Sequence, residues 1–112
     1  AGGSARRGGL SQPANRVEIS GVITELKVLR HTPAGVPVVE FRLRHQSERV
    51  EAGGARKVEA EIEALAFEAQ AHLVAGAALG RALKAEGFLC AKSRTSRKPV
   101  LHVTNIEFVE GH

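Results

Sequence analysis

The sequence contains no tryptophan, tyrosine, methionine or aspartate, and it has only one cysteine. A single cysteine, Cys90, cannot form an internal disulfide or build a cysteine-based zinc site. Because all 12 acidic residues are glutamates, Asp-rich calcium loops and Asp-containing catalytic triads are excluded. The stability of the fold must therefore come from side-chain packing.

Motifs for metal, nucleotide and membrane binding are missing as well. The five histidines lack the HExxH and i, i+4 spacings of metal ligands, and the glycines form neither a phosphate-binding nor a dinucleotide-binding motif. No apolar run approaches the roughly 20 residues that span a bilayer, and the first residues lack the apolar stretch of a signal peptide. We therefore expect a cytoplasmic, non-enzymatic protein with no cofactor, no metal and no membrane contact.

The composition that is present predicts one folded domain with a basic surface. The 112 residues are 43% hydrophobic and 25% charged, close to globular averages. Residues 1–14 are rich in glycine and carry Arg6 and Arg7, which predicts a flexible tail before a domain of residues 15–112. The net charge of +4 and the pI near 9.8 favour a polyanionic partner.

Alternation of apolar and polar residues predicts five strands. The first begins near Asn15, and its apolar parity changes between Gly21 and Glu25, which indicates a bulge. A turn at His31–Gly35 leads to a second strand over residues 36–46, and a polar loop is expected at residues 47–54.

The rest of the chain predicts a third strand, a short helix and two further strands. The third strand covers residues 57–64, an alanine-rich stretch of residues 67–78 predicts a short helix, and the fourth strand begins after Gly80. The fifth strand follows Pro99, with a second bulge expected near Thr104 and Asn105. Three phenylalanines fall on apolar patterns and are expected in the core: Phe41, Phe67 and Phe108.

This order of elements predicts the fold class. Five strands with one short helix between strands three and four are typical of the OB-fold, an all-β Greek-key barrel that binds oligonucleotides and oligosaccharides. A five-stranded barrel of this size also removes most of the sheet edges that otherwise pair between chains.

A basic loop between strands four and five is the first candidate binding element. It holds four cations in seven residues and no acid. In an OB-fold this loop flanks the ligand face, so its cations could follow a phosphate backbone, although a solvated hairpin loop is the alternative. The candidate residues are Lys92, Arg94, Arg97 and Lys98.

Phe88 is the second candidate. It lies on the opposite parity to the apolar series of Leu83, Ala85, Gly87 and Leu89, so alternation points its ring outward, where a nucleobase could stack. A bulge at Gly87 or packing against a partner chain would also explain it. Three further cations extend the candidate set for single-stranded DNA: Arg30, Arg44 and Lys84. Against this, Glu59, Glu61 and Glu63 are expected to pair with Arg42 and Arg44 across neighbouring strands and to repel phosphate.

Several segments resemble the bacterial PriB family, the primosomal replication protein N group. The turn TPAGVPV followed by EFRLRHQS is the most specific part, and the resemblance covers nearly all of residues 15–111. The segments are NRVEISG (15–21), HTPAGVPVVEFRLRHQS (31–47), LKAEGFLCAKS (83–93) and VLHVTNIEFVE (100–110).

The resemblance implies a homodimeric barrel, related to single-stranded DNA-binding protein, that acts in the replication-restart primosome without catalysis. It implies single-stranded DNA and the PriA helicase as partners, with DnaT and single-stranded DNA-binding protein as further ones. It places Phe88 at an aromatic DNA-contact position, Arg30 at a basic one and residues 92–98 in the basic loop. The rival interpretation is a protein-interaction barrel whose Arg/Glu face docks a partner and binds nucleic acid only incidentally.

Overall fold

The computed structural model of the chain describes residues 13–109. The tail expected at residues 1–14 therefore falls almost entirely outside the described residues and stays a prediction. The elements in chain order are β1 (Val17–Leu26), β2 (Arg30–His31), β3 (Pro37–Glu51), β4 (Gly54–Phe67), α1 (Ala69–Ala75), β5 (Ala82–Ala91) and β6 (Pro99–Phe108).

The long strands close into a five-stranded barrel, which confirms the predicted OB-fold. The sheet order is β1-β5-β6-β4-β3-β2, and β1 also pairs with β3 to complete the barrel. All described pairings are antiparallel except the one between β4 and β6. The helix lies between β4 and β5 rather than between strands three and four, because the two-residue strand β2 adds one to the count.

The barrel interior is filled by one face of each long strand, and the parity of the inward residues changes at the bulges of β1 and β6. Four of the largest side chains there are completely inaccessible to solvent, and burying each contributes roughly 1.5 to 3 kcal/mol. They are Ile23, Leu43, Leu83 and Leu101. The helix α1 packs against this core through Ala71 and Val74.

Both predicted bulges are present. The register between β1 and β3 shifts between Ile23 and Glu25, so Thr24 is the extra residue. The register between β5 and β6 skips Thr104, which lies opposite the step from Glu86 to Gly87. The predicted turn is also present, because Gly35 adopts a φ of 87° and its N–H donates to the Thr32 carbonyl at 2.8 Å.

The prediction of a polar loop at residues 47–54 is wrong. β3 continues to Glu51 and β4 starts at Gly54, and the two strands pair without interruption from Val38↔Phe67 to Glu51↔Gly54. We call the part beyond the barrel, residues 45–51 and 54–61, the hairpin arm. Its faces are largely exposed to water, so residues 47–51 and 54–56 have no apolar alternation that would reveal strands beyond those predicted at residues 36–46 and 57–64.

Three smaller expectations need correction. The helix covers only Ala69–Ala75, because β4 runs as far as Phe67. Phe67 lies on the outer parity of β4 and is half-buried, so it is not a core residue, whereas Phe41 is buried and Phe108 packs against the edge of the core. Leu89 lies past the filled part of the barrel and is exposed, although its parity matches the core series.

Candidate nucleic-acid interface

The basic loop, residues 92–98, is a tight connection between β5 and β6. The Lys92 N–H donates to the Lys98 carbonyl at 2.9 Å, and the Ser93 hydroxyl accepts from the Ser96 N–H at 3.0 Å. These bonds fix the backbone while the cationic side chains extend outward. Within residues 13–109, Arg94 and Arg97 are exposed and form no ion pair.

The two lysines of the basic loop instead meet a carboxylate of β4. Lys92 Nζ lies 3.3 Å from Glu63 Oε1, and Lys98 Nζ lies 3.5 Å from Glu63 Oε2. Arg42 of β3 approaches the same Oε2 at 3.3 Å. The neighbouring Lys92 ammonium is the main reason that the pKa of Glu63 lies below its usual value, although partial burial opposes the shift. Glu63 thus joins the basic loop to the barrel.

A groove of about 500 Å³ opens between this loop, the outer face of β3 and β4, and the β1–β2 connection. Its walls carry four cations and three carboxylates over an apolar floor, so one positive charge is left in excess. The lining includes Lys27, Arg30, Arg42, Lys92, Glu25, Glu40, Glu63, Phe41, Ala64, Leu65 and Val100. Two residues predicted separately, Arg30 and Lys92, therefore face one groove.

Arg30 is held at the groove by Glu40. Its guanidinium lies 3.3 Å from a Glu40 oxygen, and Lys27 approaches the other oxygen at 3.7 Å. All three side chains remain partly exposed, so each pair contributes only about 0 to 1 kcal/mol and can be exchanged for a ligand phosphate.

Phe88 points outward, as its parity predicts, and is 36% exposed. Its ring stacks on His102 with a centroid distance of 4.5 Å, and Phe67 stacks on the same imidazole at 4.7 Å. We call these three residues the ring ladder. The bulge next to Gly87 lies on the β6 side, at Thr104, so it does not turn Phe88 inward.

The groove and the ring ladder belong to one continuous outer face. Strand register places Glu40 beside Leu65, Leu65 beside His102 and His102 beside Phe88. Since neighbouring strands are about 4.8 Å apart, the Phe88 position lies roughly 10 Å from Leu65 on the groove floor. A single flexible strand can therefore contact the cations and the exposed ring together.

Two predicted site residues lie outside the groove and the ring ladder. Arg44 pairs with Glu59 at 3.6 Å, and Lys84 lies between Glu18 at 3.4 Å and Glu107 at 3.2 Å. The hydrogen bond with Glu107 is the main reason that the pKa of Lys84 is raised. Neither residue lines the groove. The cross-strand pairing expected for Arg44 is confirmed, and so is that of Arg42 with Glu63.

Sequence reasoning missed the contacts that connect the site. Phe67 shares the outer parity of β4 with Glu63, and His102 alternates with the buried Leu101 and Val103 on β6. This outward parity was the available signal for the ring ladder. The ion pairs of Glu63 with Lys92 and Lys98 could not be recognised from a local sequence pattern, because they join residues about thirty positions apart.

No group of three or more histidine, cysteine or acidic side chains within residues 13–109 is placed to hold a metal ion. No helix in the described range is long and apolar enough to cross a membrane.

Comparison with known proteins identifies the family. A family model described as "another single-strand binding protein family" matches residues 15–105. The replication restart protein PriB of Nitrosomonas europaea is 40% identical over 95 residues, which cover 85% of this chain and 88% of that protein. The chain belongs to the PriB family. Its match to the family model also places it in that single-strand binding group.

Solved structures agree with this membership. PriB from Ralstonia solanacearum is 35% identical and superposes with a TM-score of 0.76, covering 88% of this chain and all of that one. A small single-stranded DNA-binding protein from Streptomyces coelicolor is only 18% identical, with a TM-score of 0.70 over 88% of this chain and 96% of that chain. The second likeness supports the fold alone, which the PriB family shares with that protein.

Proposed function

We propose that this chain is a non-enzymatic accessory protein of replication restart that binds single-stranded DNA. The observation that carries the proposal is the continuous outer face, in which the groove, the basic loop and the exposed Phe88 ring adjoin. Phosphates would be held by Arg30 and by the basic loop, while a base stacks on Phe88. The names of the PriB relatives supply the context of replication restart.

This arrangement favours a single strand over a duplex. A base can stack on an exposed ring only when it is free of its own base pair, and a barrel groove of this size accepts a flexible strand more readily than a rigid double helix. Arg94 and Arg97 have no competing carboxylate within the described residues, so they are the cations most available to phosphate.

Replacing both Arg94 and Arg97 by serine tests the proposed function. We expect about tenfold weaker binding to oligo-dT and a log–log salt dependence shallower by about 1.4, because each phosphate contact on a single strand contributes about 0.7. Fluorescence anisotropy of a labelled oligonucleotide is the measurement, since the chain lacks tryptophan and tyrosine.

The matched control removes the same charge from the hairpin arm, at Arg49 and Arg56. These two residues face each other in register and do not line the groove. An equal loss of affinity in the control would mean that only net charge matters, which would contradict the proposed site. Equal binding of the unaltered chain to duplex and to single strand would contradict the proposed function.

We also propose that the chain bridges single-stranded DNA and the PriA helicase, with DnaT and single-stranded DNA-binding protein as further partners, and that it acts as a cytoplasmic homodimer. The edge of β1 over residues 17–19 supports the dimer. One side of this segment pairs with β5, and no described strand pairs with the other side, so its backbone groups can accept a strand from a second copy.

The second candidate function is a protein-docking barrel that binds DNA only incidentally. The ion pairs Arg42–Glu63 and Arg44–Glu59 favour it, because they neutralise much of the outer face of β3 and β4.

A pull-down on immobilised PriA distinguishes the bridging function from the docking function. If the chain is a bridge, PriA retains the Arg94→Ser/Arg97→Ser variant while DNA binding falls. If it is only a docking barrel, PriA binding is stable and the unaltered chain shows no preference for single strands. Absence of retention by PriA would contradict both.

A further inference from the structure

Glu63 is surrounded by cations from three different segments. Arg42 reaches it from β3, and Lys92 and Lys98 reach it from the two ends of the basic loop. The Glu63 side chain is 21% exposed, whereas those of Lys92 and Lys98 are 42% and 59% exposed. The carboxylate therefore lies beneath the two ammonium groups, which remain accessible from solvent.

The contacts resemble those that a phosphate group receives from a protein. Lys92 approaches one carboxylate oxygen, and Lys98 and Arg42 approach the other, so a small anion with two oxygens is bound by three cations. Because both lysines reach one carboxylate, their ammonium groups lie close enough together to contact neighbouring phosphates of one strand. The lowered pKa of Glu63 agrees with this anionic role.

We propose that Glu63 occupies the place of a backbone phosphate in the unbound protein and competes with single-stranded DNA for Lys92 and Lys98. The inference rests on the proposed function and adds a specificity device to the same site. A single small anion gains little binding free energy here, because it must displace a carboxylate that is already bound. A strand gains more, because it offers successive phosphates to both lysines while other phosphates bind Arg94 and Arg97.

The competing explanation is that Glu63 only anchors the basic loop in the correct position. The two roles predict opposite effects of removing its charge. Loss of an anchor weakens DNA binding because the loop moves, whereas loss of a competitor strengthens binding because the lysines no longer exchange partners.

The test compares Glu63→Gln with Glu59→Gln. Both substitutions are on β4 and both raise the net charge by one, but Glu59 contacts Arg44 and Gln46 rather than the basic loop. We expect Glu63→Gln to bind oligo-dT about threefold to tenfold more tightly than Glu59→Gln, since two partly exposed ion pairs no longer have to be broken. The salt dependence should be steeper by about 0.7 in Glu63→Gln relative to the control. Equal or weaker binding of Glu63→Gln would overturn the inference.

If circular dichroism shows that Glu63→Gln is poorly folded, a second comparison tests the same inference. In the otherwise unaltered chain, Lys98→Gln should reduce oligo-dT affinity less than Arg97→Gln, because Lys98 must first leave Glu63 and Arg97 has no such partner among the described residues. A loss for Lys98→Gln that equals or exceeds that for Arg97→Gln would argue against competition. The proposed function fails separately, if the unaltered chain shows no preference for single-stranded over duplex DNA.

Discussion

Replacing Gly87 by alanine is expected to destabilise the fold by roughly 3 kcal/mol, because there is no room for a methyl group at this position. A Cβ atom built there would overlap the His102 carbonyl oxygen and lie 2.8 Å from the carbonyl carbon. Both atoms belong to the backbone of β6, so no side chain can rotate away to relieve the contact. Thermal or denaturant unfolding followed by circular dichroism is the measurement.

Gly53→Ala is the matched control for this prediction. A Cβ atom at Gly53 meets no heavy atom within 4 Å, and the residue lies in the exposed turn between β3 and β4. We expect its free energy of unfolding to stay within about 0.5 kcal/mol of that of the unaltered chain. Gly87→Ala with the same stability as Gly53→Ala would show that β5 and β6 are not packed as closely as the structure has them.

Phe88→Ala is expected to weaken binding to oligo-dT by about 1 to 3 kcal/mol, or roughly fivefold to 150-fold, if the ring stacks on a base. The effect on folding should be much smaller, because the ring lies outside the barrel core and 36% of the residue is exposed. Anisotropy titrations at constant salt, together with unfolding curves, separate the two effects.

Two conservative variants sharpen the prediction for Phe88. Phe88→Tyr keeps a planar ring that can stack both on His102 and on a base, so its affinity should remain close to that of the unaltered chain. Phe88→Leu keeps an apolar side chain without a ring, so it should lose most of the stacking energy. Unaltered binding by Phe88→Leu would remove this residue from the site.

The barrel itself could be predicted because a strand with one buried face alternates apolar and polar residues along the sequence. The inward parity of Leu83, Ala85 and Gly87 and the changes of parity at both bulges follow from the need to keep apolar side chains in one core. The outward position of Phe88 followed from the same rule. The end of the hairpin arm, residues 47–51 and 54–56, could not be predicted in this way, because neither of its faces has a core to contact.

The site was only partly predictable for a related reason. The individual cations Arg30, Lys92 and Lys98 could be named from local sequence and family resemblance, but their partners depend on which strands become neighbours. Glu63 was expected to repel phosphate as part of an acidic strand face. The structure places it under the basic loop, where its effect on each lysine depends on β4 lying next to β6.

The parallel pairing of β4 with β6 also determines when the barrel can be completed during synthesis. Residues 64–66 of β4 find their partners at residues 101–103, after the helix and the whole of β5. While a ribosome is still translating that last segment, the long β3–β4 hairpin has emerged with one edge of β4 unpaired. Such an edge can pair with another chain. Pauses in translation near the codons for β6 would therefore prolong the period in which nascent chains are most prone to aggregate.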